Sequence, residues 1–473
     1  MNNKSLSVSV AWYGLGNLFV RSLSFILLPL YSNLISTSEF GNYSLLMSVY
    51  AVVQVFFQFG MFGALNKFYI EEKSENKKLL IFSSIINSIF IIASFLTFTL
   101  WLLSSQISVI VFNSPDFKNI LTLTFVSLLF ETLGFYILSL LKTMGLAKKV
   151  VIYSTSGAIL NLLLNIFFVY YLRLSVYGII LAQVISGLVL LLLLLPLIKN
   201  KYVFRIDKEI FNIVIKFSLP LILANLFMAG SNVADRFILN IYSGREQVGL
   251  YSFAYRIALI MSILIASFST AWSPYSLNLF YSSDYKFTFG KVLNKLVAVS
   301  CLLLLVVSLL AGYLFDIHLF GISFFNSVYR PGIVIIPIVM IGYLFNGISS
   351  YYSVYPSVSN KSYHLMFSEL IAFLMNVILN IILIPHFGII GAALSTALGF
   401  LCGASYLFTI SRKEIKIEYH VKELSIIIIT ALVFLLVGKE LNSFLIDIIL
   451  ILLYLLTLHF FTKIKLNQII RIA

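Results

Sequence analysis

The sequence predicts an all-α membrane protein: a polytopic transmembrane helical bundle of about 14 helices. Two parallel six-helix repeats form lobes around a central cavity, and two extra helices follow at the C-terminal end. Three observations predict this. Long apolar runs recur through 473 residues that are 60% hydrophobic and only 11% charged. Basic residues gather on every second connection between those runs. Short motifs of the first half return, in the same order, in the second.

A water-soluble domain carries about a quarter charged residues, so this chain has too little charge to cover a wet surface. The mean hydropathy is +1.03. A bilayer core needs about 20 helical residues per crossing. Runs of that kind lie near 9–34, 43–66, 79–103, 119–141, 150–172, 176–198, 214–241, 248–271, 296–315, 332–355, 364–384, 388–410, 424–438 and 443–462. The first is longer than the apolar part of a secretory signal and lacks a clear small-residue cleavage site, so it is expected to remain as a helix. The thirteenth is short for a crossing.

Of the 32 Lys and Arg residues, 24 fall on the two termini and alternate connections, five on the opposite connections (Lys118, Arg173, Arg245, Arg330, Lys439), and three inside runs. Positive charge collects on the cytoplasmic face of a membrane. The alternation therefore places both termini inside, and one miscounted helix in the middle would destroy it. The net charge of +14 is spread over short loops that face anionic headgroups, so a nucleic-acid partner is not expected. Cys301 and Cys402 stand far apart in apolar runs and read as buried thiols.

The internal repeat rests on paired matches. Asn17-Leu18-Phe19 returns as Asn225-Leu226-Phe227, and Gly41-Asn42-Tyr43-Ser44 as Gly249-Leu250-Tyr251-Ser252. Asn161 and Asn165, followed by Tyr177-Gly178-Ile179-Ile180, return as Asn376 and Asn380, followed by Phe387-Gly388-Ile389-Ile390. Six helices is an even number, so both copies enter from one side and the repeat is parallel. The expected organisation is an N-terminal lobe over 1–209, a C-terminal lobe over 210–411, and two additional helices over 412–473. Those last helices carry almost nothing polar except Asp447 and are expected to face lipid.

Several of these segments resemble a known family. Glu39-Phe40-Gly41-Asn42-Tyr43-Ser44, Asp235-Arg236-Phe237-Ile238-Leu239 with Val248-Gly249-Leu250-Tyr251-Ser252, Ala271-Trp272-Ser273-Pro274, and Pro385-His386-Phe387-Gly388-Ile389-Ile390-Gly391-Ala392-Ala393 are similar to those of polysaccharide-biosynthesis flippases. These belong to the multidrug/oligosaccharidyl-lipid/polysaccharide exporter superfamily. The resemblance implies a plasma-membrane flippase that moves an undecaprenyl-pyrophosphate-linked oligosaccharide to the outer leaflet for O-antigen or capsule. It implies membrane lipids, a polysaccharide polymerase and a chain-length regulator as partners. Lipid II flippases and cation-coupled multidrug exporters are relatives, and either activity is an alternative.

Three arginines lie inside runs. An Arg at a helix centre costs about 2.5–3.5 kcal/mol on insertion scales, so it faces protein or a wet cavity. Asn17 and Arg21 share one face of the first run, and Asn225, Asn232 and Arg236 share the matching face of the seventh. Arg21, Arg236 and Arg256 suit a pyrophosphate, because a guanidinium binds it through a bidentate fork. Lys67 and Lys142 lie on the cytoplasmic approach. Tyr50, Gln54, Gln58, Tyr251 and Tyr255 suit sugar hydroxyls.

Each assignment has a plainer reading. Glu131 lies at the depth of Arg21 and can simply neutralise it. Arg236 and Arg256 can snorkel to the interface, and Lys67 can be a membrane anchor. Asp235 adjoins Arg236 but points about 100° away around the helix, so adjacency does not pair them. Pro220, Pro274, Pro337 and Pro356 are candidate bends. No metal-ligand spacing, cofactor motif or catalytic constellation is present. The longest outer loop, 316–331, offers Asp316, His318 and Arg330, so a non-enzyme is expected.

Overall fold

The computed structural model describes residues 25–461 apart from 281–284, 320–321, 360 and 362, together with Gly16, Phe19, Val20 and Leu23. Most of the first apolar run lies outside the described residues. Its described end is helix α1 (Phe25–Leu34). Ten of the described helices are long and apolar enough to cross a membrane. The chain is a multi-pass membrane protein. Its described residues form two compact units, one up to Val233 and one from Ala234.

The first unit holds α1, α2 (Thr37–Gln58), α3 (Met61–Glu71), α4 (Glu75–Phe112), α5 (Lys118–Thr143), α6 (Ala147–Asn165), α7 (Ser175–Leu194) and the first part of α8 (Lys208–Ala258). Apolar side chains pack between α3, α4, α5 and α7: Leu65, Phe82, Ile85, Tyr136, Leu140 and Leu194 are all buried. The start of α2 is fixed by a reciprocal cap. The Glu39 amide donates to Ser36 Oγ at 3.3 Å, and the Ser36 amide donates to Glu39 Oε2 at 3.2 Å. The other Glu39 oxygen accepts from Ser175 Oγ at 2.8 Å, tying the start of α2 to the start of α7. The connection after α7 is bonded back onto α4. Asn87 Nδ2 donates to the Val203 carbonyl, and the Val203 amide donates to Ser83 Oγ.

One apolar run expected as a single span is broken. Phe59 and Gly60 both have positive φ (49° and 63°) between α2 and α3. A Cβ on Gly60 would stand 2.8 Å from the Ser218 carbonyl oxygen of α8. Backbone meets backbone there, so neither partner can swing aside.

The second unit holds the rest of α8, α9 (Ile260–Phe280), α10 (Tyr285–Leu310), α11 (Ile336–Tyr352), α12 (Val354–Val358), α13 (Tyr363–Glu414), α14 (Val421–Leu441) and α15 (Phe444–Phe461). α13 covers two apolar runs, and α8 covers one and the first half of the next, which α9 continues. α8 turns at Gly244 (φ 79°, ψ 175°), and α13 turns at Gly388 (φ 53°, ψ −128°). Both conformations are open to glycine and closed to other residues. Pro385-His386-Phe387-Gly388 is thus a turn between spans. Trp272 stacks on Tyr351 at 5.1 Å and donates its indole N–H to the Tyr351 carbonyl at 3.0 Å. The Tyr351 hydroxyl donates to the Phe289 carbonyl at 2.9 Å. The Ala271-Trp272-Ser273-Pro274 segment therefore clamps α9 to α10 and α11.

Some expectations need correcting. The thirteenth run is not short, because α14 spans 21 residues. Helices α14 and α15 are not simply lipid-facing. Asp447 is 2% exposed and accepts from the Tyr313 hydroxyl at 2.7 Å. Asn294 Nδ2 donates to Glu423 Oε2 at 3.2 Å, and the Tyr454 hydroxyl donates to the Ala298 carbonyl at 3.4 Å. One face of the pair is docked on α10. Cys301 is buried but Cys402 is only half-buried. Pro337 lies in the first turn of α11, where its missing N–H costs nothing, so it is no bend. Loop 316–331 carries a small hairpin (His318–Leu319 with Ile322–Ser323), and Arg330 forks onto both oxygens of Asp316 at 3.0 and 3.2 Å.

Gly60→Ala is expected to destabilise the protein by roughly 1–3 kcal/mol through the left-handed backbone and the clash. Gly312→Ala, whose new Cβ would make only an ordinary contact with Ile333, is the control. Thermal unfolding in detergent compares them, and equal melting temperatures would exclude the close approach.

Candidate functional site

Each unit carries a cluster of hydrogen-bonded polar side chains on its apolar helices. In the second unit it begins on α8. Asp235 is fully buried, and its Oδ1 accepts from Arg236 Nη1 at 3.0 Å and from the Arg236 amide at 2.8 Å. The two residues are thus paired, contrary to the reading from helix geometry. The Cα–Cβ vectors diverge, but a guanidinium on its long stem reaches back to the neighbouring carboxylate. Arg236 does not snorkel: its side chain is 13% exposed, and its guanidinium lies 4.6 Å from the Tyr255 ring centre.

Polar side chains carry the cluster across the unit. The Tyr251 hydroxyl donates to Asp235 Oδ2, and Thr396 on α13 stands beside it. The Tyr255 and Tyr343 hydroxyls meet at 2.9 Å. Asn376 Nδ2 donates to Thr396 Oγ1 at 3.2 Å, and Asn380 Nδ2 donates to Asn376 Oδ1 at 2.9 Å. The turn at Gly244 brings Tyr251 and Tyr255 back beside Asp235 and Arg236, although 16 residues separate Tyr251 from Asp235.

In the first unit the cluster centres on Glu131 of α5. Tyr50 of α2 donates its hydroxyl to Glu131 Oε2, and Gln183 of α7 stands beside the same carboxylate. Gln54 Nε2 lies 3.5 Å from the Tyr50 hydroxyl. Nearby, Asn161 Nδ2 donates to Ser186 Oγ at 3.0 Å, Asn165 Nδ2 to Asn161 Oδ1 at 3.0 Å, and the Tyr31 hydroxyl to Asn165 Oδ1 at 2.8 Å. Ser186 stands nine residues after Tyr177, as Thr396 stands nine after Phe387. The Asn–Asn–hydroxyl chain therefore occurs in both units.

The remaining candidates are scattered. Asn17 and Arg21 lie outside the described residues. Asn225 is exposed, and Asn232 donates to the Met228 carbonyl of its own helix at 2.8 Å. Arg256 is half-buried on α8. Lys67 and Lys142 are exposed, Lys67 lying over the Phe217 ring at 5.1 Å. Asp235 and Arg236 come together, with Tyr251 and Tyr255 as their partners. Glu131 takes Tyr50 and Gln183. Sequence reasoning missed Gln183, Tyr343 and Thr396. Gln183 alone carried a signal, as an amide inside an otherwise apolar run.

Loss of Asp235 would leave Arg236 buried without its charge partner, an effect of about 3–5 kcal/mol. Asp235→Ala is expected to lower stability by that order, and adding Arg236→Leu to recover much of it. A double-mutant cycle on thermal unfolding reads the pair directly. Strictly additive losses would exclude it.

The family described as polysaccharide biosynthesis protein matches residues 7–280. No curated protein matches in sequence. Among solved structures, the fold resembles that of a lipid II flippase, MurJ, in an inward closed conformation. The TM-score is 0.75 at 19% identity, over 96% of this chain and 100% of that one. An inward-facing multidrug resistance MATE transporter of the MOP superfamily gives 0.63 at 14% identity, over 83% and 94%. A point mutant of the Vibrio cholerae MATE transporter VcmN gives 0.60 at 13% identity, over 87% and 96%. This chain belongs to the polysaccharide biosynthesis protein family and has the fold of the MOP-superfamily flippases and transporters.

Proposed function

We propose that this protein is a flippase for an undecaprenyl-pyrophosphate-linked oligosaccharide, moving the repeat unit from the cytoplasmic to the outer leaflet by alternating access. The observation that carries this reading is the family match joined to a lipid-flippase fold along nearly the whole chain. The cargo has a charged neck, a polar glycan and a long apolar tail. Each needs a different surface.

For the tail, the second unit offers an apolar cavity of about 650 Å³. Its walls come from α9, α10, α11, α13 and α14, with Met261, Leu304, Phe345, Phe408 and Leu432 among them. Such a volume is in the range of small-molecule pockets, roughly 300–1,000 Å³, enough for a segment of one lipid chain. For the neck, Arg21, Arg236 and Arg256 supply the forked donors that a pyrophosphate needs. Asn17, Asn225, Asn232, Asp235, Glu131 and Lys67 are the further polar candidates of the sequence. For the glycan, Tyr50 and Gln54 offer hydroxyl and amide groups.

The surface polysaccharide served is O-antigen or capsule. A polymerase and a chain-length regulator act on the flipped unit, and the chain works in the inner membrane as a transporter rather than an enzyme. Basic connections place both termini in the cytoplasm. Single cysteines at Lys73 and at Lys118 are then expected to label from opposite faces of sealed vesicles. Labelling from the same face would overturn that topology.

The fold match to a lipid II flippase favours a second cargo with the same pyrophosphate neck. The match to MATE transporters, with the half-buried Glu131 carboxylate in the first unit, favours a third reading, cation-coupled drug export. One complementation series separates them. In a strain deleted for this gene, wild type restores surface glycan. Arg21→Ala and Arg21→Gln lose it at normal membrane levels, and Arg21→Lys keeps part of it. Full restoration by all three would remove Arg21 from the site. Rescue of a strain depleted of its lipid II flippase selects the second cargo. A change only in resistance to cationic drugs selects export.

A further inference from the structure

The connection from α7 to α8 exposes apolar side chains beside unpaired cations. Phe204 is 84% exposed, and among the described residues no other large apolar side chain is exposed as much. Val203 and Ile206 are exposed on either side of it. Lys199, Arg205 and Lys208 accompany them, all exposed, and among the described residues none of the three has an ion-pair partner.

This exposure is fixed by hydrogen bonds to α4. The Val203 amide donates to Ser83 Oγ at 3.0 Å, and the Asp207 amide donates to Ser84 Oγ at 2.9 Å. Asn87 Nδ2 donates to the Val203 and Arg205 carbonyls, each at 3.2 Å, and Asn87 Oδ1 accepts from the Tyr202 hydroxyl at 2.7 Å. Asp207 then caps α8, accepting from the amides of Glu209 and Ile210 at 3.0 and 3.1 Å. With the backbone polar groups of this segment satisfied on α4, the side chains of Val203, Phe204, Arg205 and Ile206 are left outside.

The level of the segment is set by the same bonds. Ser83 comes eight residues after Glu75, about 12 Å along the helix from its charged start. Residues 203–207 therefore stand beside the apolar part of α4 rather than beside its first turn. That is the boundary between headgroups and hydrocarbon. Nearby acids do not neutralise the cations. Asp207 is engaged by the cap, Glu75 by Lys78 and Lys201 at 2.9 and 3.3 Å, and Glu72 by the amides of Lys73 and Ser74. Glu71 and Glu209 remain exposed, against Lys73, Lys77, Lys199, Arg205 and Lys208.

An apolar face at this depth, flanked by cations, is the pattern of a segment that lies in the membrane interface. A guanidinium takes a phosphate through two parallel bonds, and ammonium groups take it as point charges. A zwitterionic headgroup carries its own cation beside the phosphate, so an anionic headgroup gains more from this patch. We propose that residues 199–208 form a binding site for an anionic phospholipid: Phe204 inserts among the upper acyl carbons, and Lys199, Arg205 and Lys208 hold the headgroup phosphate. The cytoplasmic leaflet follows from the topology proposed above; the site itself does not depend on that topology or on the cargo.

Depth is tested first, on the full-length protein in vesicles of phosphatidylcholine and phosphatidylglycerol. Phe204→Trp adds one indole to Trp12, Trp101 and Trp272, and the emission gained over wild type reports position 204. That added emission is expected to be quenched by lipid brominated along the upper acyl chain and spared by aqueous acrylamide. Quenching by acrylamide, with none by the brominated lipid, puts the residue in water and overturns the proposal.

Headgroup choice is read by native mass spectrometry of the full-length protein, with phosphatidylglycerol and phosphatidylcholine of identical chains as probes. Wild type is expected to retain phosphatidylglycerol preferentially. Lys199→Gln/Arg205→Gln/Lys208→Gln is expected to weaken the tightest phosphatidylglycerol step by about fivefold for each cation removed. Lys413→Gln/Lys416→Gln/Lys422→Gln removes as many exposed cations from the connection between α13 and α14 and is expected to keep that step. Equal affinity of wild type and the first variant overturns the site. Equal losses in the two variants overturn it too, because net charge alone then holds the lipid. If the first triple variant fails to fold, Arg205→Gln alone decides, and unchanged affinity there overturns the site.

Discussion

The Asp235–Arg236 pair shows the constraint under which the rest of this chain is built. A bilayer offers no water to an unpaired polar group, so every charge and every backbone group at depth must be satisfied by the protein itself. Arg236 meets this with a carboxylate on one side and the Tyr255 ring on another, and Asp235 with Arg236 and Tyr251. Both Tyr residues reach the pair only because α8 turns back at Gly244. The kink is therefore part of the electrostatics: without it the charge on Arg236 would lose its aromatic support and Asp235 its second donor.

The same constraint explains what was legible in the sequence. A span must be about 20 residues of apolar helix, so length and composition mark it, and nearly every expected run is helical here. Charge between spans is read by the membrane itself, so the alternation of Lys and Arg needs no structure. Side-chain reach is another matter. The angle between Asp235 and Arg236 on a helix is fixed by backbone geometry, but the guanidinium sits several bonds from that backbone. A rule about Cβ directions cannot see where it ends. Asp447 shows the same limit from the other side: one polar residue in an apolar helix does not announce that Tyr313 will receive it.

The segments that carry the family resemblance have mostly structural work. Glu39 caps α2 and reaches Ser175. Trp272 clamps three helices through Tyr351 and Phe289. Gly388 makes the turn within α13, and a Cβ on Gly391 would fall 2.5 Å from the Leu383 carbonyl oxygen. Their work is set by the backbone geometry of the fold. They identify the architecture and are silent about the cargo, which explains why the motifs point to a family more sharply than to a sugar.

Residues that could bear on the cargo follow a different logic, since they violate the composition of their surroundings rather than satisfy it. Glu131, Gln183 and Tyr50 sit on three largely apolar helices of the first unit. In the second unit Asp235 has a fixed ion pair, while Asp447 accepts from the Tyr313 hydroxyl. Yet the Asn–Asn–hydroxyl chain, Asn165–Asn161–Ser186 and Asn380–Asn376–Thr396, is common to both. A shared scaffold with unlike carboxylate environments has a physical consequence. Reversible protonation of a group requires partners that can switch between donor and acceptor, whereas permanent charge requires a partner that cannot. Asp235, bonded to Arg236, has the latter, and the ion pair fixes its charge.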